Sequence, residues 1–332
     1  LKYKQLVAAL EKAKVCREGQ KIVIERRGEI ELFRSLVGNS SSIKQVRKLI
    51  EQVAVSDANV LILGESGTGK EVVARNLHYF SVRRDKPFVP INCGAIPADL
   101  LESELFGYQA GAFTGANKGG KPGLLELAEG GTIFLDEIAE MSVYLQAKLL
   151  RFLENYQFRR VGGTQELNAN VRIISATHQN LELNIQNQGF REDLYYRLNV
   201  LSIVIPPLRE RIDDLSLLIP HFLKLAAKQV ALTKPVLTEG GYKLLASYQW
   251  PGNIRQLQNS LFRLVALAKS DVIDSEDIAL VFNELSEARP IDETGESATG
   301  PSSSDYSQCA NWHEAQTLFE RALLSQLLPK YK

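Results

Sequence analysis

Eight consecutive residues have the types and the spacing that bind nucleotide phosphates. They are Gly64, Glu65, Ser66, Gly67, Thr68, Gly69, Lys70 and Glu71. Glycines let the backbone curl so that successive N–H groups point at phosphate oxygens. A helix that follows presents the positive end of its dipole to the same anion, and Lys70 adds a mobile charge near the β- and γ-phosphates. The pattern therefore predicts an ATP-binding P-loop.

The residues on either side of this turn support the prediction. A β-branched apolar run, Asn59–Leu63, precedes it, and a helical pattern follows it. Strand, glycine-rich turn and helix is the context that a P-loop requires, which disfavours the alternative of an ordinary glycine turn. Glu71 stands where Ser or Thr would normally reach the magnesium ion, so Mg²⁺ binding must depend on another carboxylate.

A pair of carboxylates suited to that task follows a second apolar run. Residues 131–135 predict a buried strand that ends in Asp136 and Glu137. We expect Asp136 to hold Mg²⁺ and Glu137 to orient and deprotonate the attacking water. Because adjacent residues of a strand point to opposite faces, the two carboxylates can take different roles. Coming about seventy residues after a P-loop, this pair predicts a Walker B motif.

The elements around these motifs predict an α/β fold in residues 36–207. Strand-like runs near Val60, Val89, Ile133 and Ile173 alternate with helical stretches. This alternation predicts a P-loop NTPase with a parallel sheet covered by helices. From residue 208 to 285 only helical periods occur, which predicts a small all-helical subdomain.

Three further segments flank this core. Residues 1–35 combine a helical pattern with a charged connector. Residues 286–310 are rich in Ser, Gly, Pro and acidic residues, which predicts a flexible linker. Residues 311–332 form the pattern of an amphipathic helix that Asn311 caps.

Composition narrows the functional classes. The chain of 332 residues has 39 Lys plus Arg and 39 Asp plus Glu, so no net charge attracts nucleic acid or a membrane surface. No apolar run approaches the roughly 20 residues of a membrane span, and three scattered cysteines favour free thiols. We expect a cytoplasmic protein that makes no membrane contact.

A loop between the two motifs carries a third signal. It consists of Gly111, Ala112, Phe113, Thr114, Gly115 and Ala116. Glycines that bracket an aromatic and a β-branched residue indicate a flexible loop with an apolar tip, which usually contacts a partner. The alternative is that Phe113 packs into the core.

In this position relative to the Walker motifs, the string GAFTGA resembles the signature of bacterial enhancer-binding activators of sigma-54 RNA polymerase, which are AAA+ ATPases. The resemblance covers residues 36–285 and implies that the loop contacts sigma-54 and transmits the force of ATP hydrolysis. Members of that family usually have Glu at the position of Glu71.

The resemblance also implies roles for five residues elsewhere. Asn92 matches the asparagine that restrains the Walker B glutamate before hydrolysis. Thr177 matches the sensor I position near the γ-phosphate. Arg191 and Arg197 match two arginine fingers, and Arg255 matches the sensor II arginine that touches nucleotide.

Arginine fingers supplied by a neighbouring subunit place the active site between subunits. The resemblance therefore implies a closed head-to-tail ring, which in this family is a homohexamer.

The amino-terminal flank resembles the FleQ- and FlrA-type regulators of flagellar genes. In that group a receiver-like domain precedes the ATPase and a helix-turn-helix follows it. The resemblance implies that residues 1–35 follow a missing regulatory domain and that residues 311–332 lead to a missing helix-turn-helix, which would bind DNA. It also implies an anti-activator ATPase as a partner.

The same subgroup implies a cyclic di-GMP site at Arg34, Arg75 and Asn76. Guanidinium groups suit this ligand because they fork onto phosphate or guanine edges. A further Glu-x-x-x-Arg element of the subgroup is absent, with His221 and Leu225 at its positions. Two interpretations therefore stay open: a cyclic di-GMP site, or arginines with a structural role.

Two functions from other classes compete with the activator. A generic AAA+ remodeller of protein or DNA would keep Lys70, Asp136 and Glu137 but would not explain the GAFTGA string. A nucleotide-sensing regulatory module would not need the water-activating carboxylate of Glu137.

Overall fold

The structure is a computed structural model that describes residues 36–113, 119–230, 235–268 and 272–287. The chain divides into two units, 1–282 and 283–332, and the sheet and the site lie in the first. Outside the described residues lie Arg34, Thr114, Gly115 and Ala116, the segment 1–35, most of the predicted linker and the helix predicted at 311–332.

The secondary structure alternates strands and helices up to Val204. In chain order the elements of this α/β part are α1 (Ser41–Ala54), β1 (Val60–Leu63), α2 (Lys70–Tyr79), β2 (Phe88–Asn92), α3 (Ala98–Phe106), β3 (Gly107–Tyr108), β4 (Lys121–Pro122), α4 (Leu124–Leu127), β5 (Thr132–Asp136), α5 (Val143–Asn155), β6 (Gln157–Arg159), β7 (Glu166–Asn168), β8 (Arg172–Thr177), α6 (Leu181–Gln186), α7 (Glu192–Leu198) and β9 (Leu201–Val204).

Helices dominate the remainder, residues 208–282, which we call the helical part. Its elements are α8 (Leu215–Val230), β10 (Val236–Leu237), α9 (Glu239–Ser247), α10 (Asn253–Leu267), β11 (Val272–Ile273) and α11 (Ser275–Glu287), the last of which extends beyond the first unit. The predicted all-helical subdomain thus contains one pair of parallel strands, β10 and β11. Strands of two residues are too short to produce a period-2 pattern in the sequence.

Five parallel strands form the central sheet in the order β2-β5-β8-β1-β9. The four strands predicted from sequence are confirmed as β1, β2, β5 and β8. The fifth, β9, was missed, although the run from Val200 to Ile205 is almost entirely apolar and β-branched. Since parallel strands end at one edge, the residues after β1, β5 and β8 lie close together.

Helices cover the sheet on both sides, so consecutive residues of each strand are buried on opposite faces. Leu61 and Leu135 belong to one buried cluster, whereas Ile62 and Phe134 belong to the other. All four are essentially inaccessible to solvent. Burial of each such side chain stabilises the fold by roughly 1.5–3 kcal/mol, so the sheet is a rigid base for the turns at its edge.

Two small antiparallel hairpins lie outside the central sheet. In one, β3 pairs with β4 through Gly107 and Pro122. Gly107 has φ +75°, and a Cβ there would lie 2.5 Å from the Gly123 backbone N, so only glycine fits. The other hairpin joins β6 to β7, and a bridge from Tyr108 to Val161 links the two. The first hairpin carries the loop that begins at Gly111.

Candidate nucleotide-binding and hydrolysis site

The P-loop adopts the curled backbone that its glycines predict. Gly67 has φ +77° and Gly69 has φ +101°, both in the left-handed region that favours glycine. Helix α2 begins at Lys70, and Val73 N donates to Gly69 O at 3.2 Å. The N–H groups of the first helical turn have no partner within the helix, so they are available to an anion such as phosphate.

Lys70 is buried, with 6% of its side chain exposed, and it points back over the P-loop. Its Nζ donates to Gly64 O at 3.0 Å and lies 3.5 Å from Glu137 Oε1. A buried ammonium needs partners that offset its lost hydration. Nucleotide phosphates would supply stronger, charged partners in the same place.

Asp136 ends β5, and Glu137 leaves the strand. Glu137 has φ +51°, in the left-handed region, and its N–H donates to Asp136 Oδ1 at 3.0 Å. The expectation that the two carboxylates are separated by strand alternation is therefore wrong. A turn at Glu137 directs its carboxylate towards Lys70 instead.

The environment of Asp136 suits a metal ligand. Burial, and secondly the neighbouring carboxylate of Glu137, raise the pKa of Asp136 above its usual value. A nearby cation would relieve both effects. The described residues contain no group of three or more His, Cys, Asp or Glu that could hold a metal. Mg²⁺ does not require such a group, because it is commonly bound by one or two carboxylates together with substrate phosphates and water.

Glu137 has a partner that sequence reasoning missed. His178 Nδ1 lies 2.7 Å from Glu137 Oε2. Burial favours the neutral acid, but the hydrogen bond with His178 and the charge of Lys70 outweigh it and leave the pKa of Glu137 below its usual value. Glu137 is thus held as a carboxylate, the form that a general base requires.

The two other residues matched to the hydrolytic site lie at the same edge of the sheet. Asn92 ends β2, where its Oδ1 accepts from Gly94 N at 2.9 Å and Ala95 N at 3.1 Å. Thr177 ends β8 and is fully buried, and its Oγ1 accepts from Gln179 N at 3.0 Å. Asn92 Oδ1 is therefore engaged within its own turn.

The two arginines matched to arginine fingers contact other parts of the chain than the P-loop. Arg191 pairs with Asp193 through Nε at 3.0 Å and Nη2 at 2.7 Å. Arg197 donates from Nε and Nη2 to Leu153 O at 3.2 and 3.0 Å.

The helical part contacts the P-loop through several residues, most of them unforeseen from the sequence. The backbone N of Arg255 donates to Gly67 O at 3.2 Å, and the Arg255 side chain is exposed. Asn253 Nδ2 donates to Glu65 Oε2 at 3.1 Å and to Ser66 O at 3.0 Å. The P-loop is thus fastened to the start of α10.

Arg209 adds a second fastening. Its guanidinium binds Glu65 in a bidentate manner, with Nη1–Oε2 at 2.8 Å and Nη2–Oε1 at 2.6 Å. The Arg209 hydrogen bond, and next that of Asn253, hold the pKa of Glu65 below its usual value. Predicted as a phosphate-binding residue, Glu65 is also the acceptor that joins the P-loop to the helical part.

The first half of the GAFTGA loop is described as far as Phe113. Gly111 has φ +75°, and Ala112 N donates to Gln109 O at 3.2 Å. The side chain of Phe113 is 43% exposed, and its ring centroid lies 5.0 Å from that of Tyr108. The alternative in which Phe113 packs into the core is therefore wrong.

Two residues of the hypothetical cyclic di-GMP site have intramolecular contacts on α2. Arg75 donates to Glu71 Oε1 from Nε at 2.9 Å and from Nη2 at 2.6 Å, and it lies over the Phe88 ring. Asn76 Nδ2 donates to Val72 O at 2.7 Å.

Comparison with known families identifies the chain. Residues 36–204 match the Sigma-54 interaction domain, and residues 209–294 match an AAA+ ATPase lid domain. The chain belongs to the sigma-54 interaction family. It is an AAA+ ATPase domain, and the sheet, the P-loop and the helical part are those of that fold.

Similar proteins with curated functions are transcription regulators. The nif-specific regulatory protein of Klebsiella pneumoniae is 49% identical over 251 residues, which are 75% of this chain and 47% of that protein. The putative uric acid sigma-54-dependent transcriptional regulator UacR of Escherichia coli is 50% identical over 241 residues, 72% of this chain and 41% of that protein. The chain thus spans less than half the length of these two relatives.

A solved structure that is similar to this chain contains a bound nucleotide. NtrX from Brucella abortus in complex with ATP is 34% identical, with a TM-score of 0.71, and the match covers 98% of this chain and 69% of that one. No helix among the described residues of the present chain is long and apolar enough to cross a membrane.

Proposed function

We propose that this chain is the ATP-hydrolysing part of a sigma-54-dependent activator and that hydrolysis remodels sigma-54 RNA polymerase at promoters. The observation that carries the proposal is the 3.5 Å approach of Lys70 Nζ to Glu137 Oε1. It brings the phosphate-binding cation and the water-activating carboxylate into one site, in a chain of the sigma-54 interaction family.

Each charged residue has a separate role in the proposed reaction. Lys70 attracts the β- and γ-phosphates and stabilises the charge on the transferring phosphoryl group. Asp136 would hold Mg²⁺, which when bound neutralises phosphate charge. Glu137 accepts a proton as the water oxygen bonds to the γ-phosphorus and the bond to the β-phosphate oxygen breaks. As the family resemblance implies, Thr177 is proposed to lie near the γ-phosphate, Arg255 to touch the nucleotide, and Asn92 to restrain the Walker B glutamate before hydrolysis.

The arginine contacts support a shared active site. Arg191 and Arg197 bind Asp193 and Leu153 O, so neither guanidinium is used by the P-loop of its own chain. The Arg191 pair is exposed, and exposed ion pairs contribute little to stability, so it can exchange partners readily. We propose that both arginines act on the site of a neighbouring subunit in a homohexameric ring.

The exposed Phe113 supports a partner-binding role for residues 111–116. An aromatic ring left 43% exposed at the tip of a hairpin provides apolar area to another protein. We propose that this protein is sigma-54.

Other parts of the proposal depend on the family resemblance. DNA would be bound by a domain that is not in this chain. The flagellar role and the anti-activator ATPase partner are proposed from the sequence resemblance of the amino-terminal flank. The relatives reported above do not add support for them, because they are nif-specific and uric acid regulators. Cyclic di-GMP binding at Arg34, Arg75 and Asn76 stays a prediction.

An ATP-dependent remodelling assay tests the central proposal. A sigma-54–promoter complex is mixed with this chain, and open-complex formation is measured with ATP and without it. Thr114→Ala should abolish remodelling while basal ATPase stays near the wild-type rate. Remodelling by Thr114→Ala at the wild-type rate would contradict the assigned partner surface.

Glu137→Gln tests the chemical assignment separately. Binding and water activation are different roles, so nucleotide affinity should persist while turnover collapses. Turnover equal to that of the wild type would refute the role of Glu137.

A further inference from the structure

The carboxylate of Glu137 is held from two sides. Oε1 lies 3.5 Å from Lys70 Nζ, and Oε2 lies 2.7 Å from His178 Nδ1. His178 directly follows Thr177, the last residue of β8, and β8 is the neighbour of β5 in the sheet. Two adjacent strands therefore deliver the carboxylate and the imidazole to one point.

Glu137 needs such a restraint because the sheet does not hold it. Its left-handed backbone, with φ +51°, takes it out of β5. Non-glycine residues adopt this conformation rarely, and where they do, surrounding contacts fix it. The carboxylate contacts of Glu137 described above come from Lys70 and His178 and not from Asn92, whose Oδ1 accepts from the amides of Gly94 and Ala95.

Of the two contacts, only one is expected to survive nucleotide binding. Lys70 carries the charge that phosphate oxygens attract, so its distance to Glu137 changes when a nucleotide enters. His178 is not part of the P-loop and keeps its place at the end of β8. The hydrogen bond from His178 would then be the principal restraint on Glu137 during hydrolysis.

We infer that His178 is a positioning residue, whose Nδ1–H holds the Glu137 carboxylate in the orientation that activates the attacking water. This inference depends on the proposed role of Glu137 as the base. It assigns the proton to Nδ1, because the carboxylate of Glu137 is an acceptor only.

The expected effect is on turnover and not on binding. Partners that orient the ligands of a metal ion are typically worth 10- to 100-fold in activity, and we expect an effect of that order for a partner that orients a catalytic carboxylate. His178→Ala should therefore lower kcat by roughly 10- to 100-fold and leave KM and ADP affinity near their wild-type values. His178 is 43% exposed, so its truncation is expected to leave the fold intact.

Two matched variants separate positioning from a structural role. His178→Asn places an amide N–H on the same γ-carbon that carries Nδ1, so it should recover much of the turnover lost in His178→Ala. Gln179→Ala removes a neighbouring polar side chain, whose Nε2 contacts Glu140 Oε1 at 2.5 Å, and should leave kcat unchanged.

Measuring His178→Ala both alone and combined with Glu137→Gln distinguishes failure of this inference from failure of the proposed function. If His178 acts through Glu137, adding His178→Ala to Glu137→Gln should cause no further loss, because coupled residues are not additive. If turnover collapses in Glu137→Gln while His178→Ala keeps the wild-type kcat, only the proposed role of His178 is overturned. Wild-type turnover in Glu137→Gln would overturn both.

Two other outcomes would also overturn the inference. One is a His178→Ala enzyme whose nucleotide affinity falls as much as its turnover. The other is a His178→Asn enzyme no faster than His178→Ala.

Discussion

Replacing Asn253 by alanine is expected to weaken the attachment of the helical part to the P-loop. Asn253 is fully buried at the start of α10, with φ +52°. Its Nδ2 donates to Glu65 Oε2 at 3.1 Å and to Ser66 O at 3.0 Å. Its Oδ1 accepts from Leu208 N at 2.8 Å. One amide side chain therefore joins three segments.

The size of the destabilisation depends on which hydrogen-bond partners of Asn253 can be hydrated once its side chain is removed. Ser66 is exposed and Glu65 is partly exposed, so both can be rehydrated. Leu208 is fully buried, and leaving its N–H without an acceptor costs about 1–3 kcal/mol. A left-handed backbone costs an alanine up to about 1–2 kcal/mol more than an asparagine, which tolerates it better. The free energy of unfolding should fall by about 1–5 kcal/mol.

Glycine at the same position separates the two contributions. Asn253→Gly loses the same hydrogen bonds but adopts the left-handed backbone without a Cβ penalty. It should therefore be more stable than Asn253→Ala by about 1–2 kcal/mol.

Equilibrium urea unfolding measures these differences, and ADP titration of the folded variants measures the effect on the site. We expect both variants to bind ADP more weakly, since the P-loop loses the side-chain hydrogen bonds from Asn253 at the start of α10. A change in unfolding free energy below about 0.5 kcal/mol, the usual scatter of surface substitutions, would refute the reasoning. So would equal stability of the alanine and glycine variants.

The remaining predictions concern the proposed hexameric ring and the hypothetical cyclic di-GMP site. Subunits with Arg191→Ala or Arg197→Ala should regain ATPase activity when mixed with Lys70→Ala subunits, because mixed rings contain some interfaces with an intact P-loop and intact fingers. No rescue, with subunit mixing confirmed independently, would count against a shared site. Calorimetric titration with cyclic di-GMP decides between the two interpretations of Arg34 and Arg75, and heat that Arg34→Ala or Arg75→Ala abolishes would support the ligand site. Because Arg75 is already bound to Glu71, no heat at high micromolar ligand would assign these arginines a structural role.

Local chemistry made much of the site predictable. The turn at Gly67 and Gly69 follows from glycine spacing between a strand and a helix, and the structure has that turn. The run that ends in Asp136 is likewise a buried strand. In both cases the residues that determine the geometry are neighbours in the sequence.

Contacts between distant residues were not predictable. Glu137 and His178 are 41 residues apart, and Glu65 and Arg209 are 144 apart. Neither pair has a spacing that a single helix or strand would impose, so only the order of the strands and the docking of the helical part bring them together. The backbone turn at Glu137 is a further example, because glutamate does not favour the left-handed region.

The position of β1 within the sheet has a consequence for synthesis of the chain. Val60 pairs with Ile174 on one side and with Leu201 on the other. The later partner leaves the ribosome about 140 residues after β1, which takes roughly 7–28 s at usual elongation rates. For most of that interval, until β8 follows about 114 residues after β1, the apolar strand before the P-loop has neither neighbour, and it is exposed to aggregation or to chaperones. A nascent chain arrested before β8 should therefore bind no ATP, because β1 then has no neighbouring strand to position the P-loop.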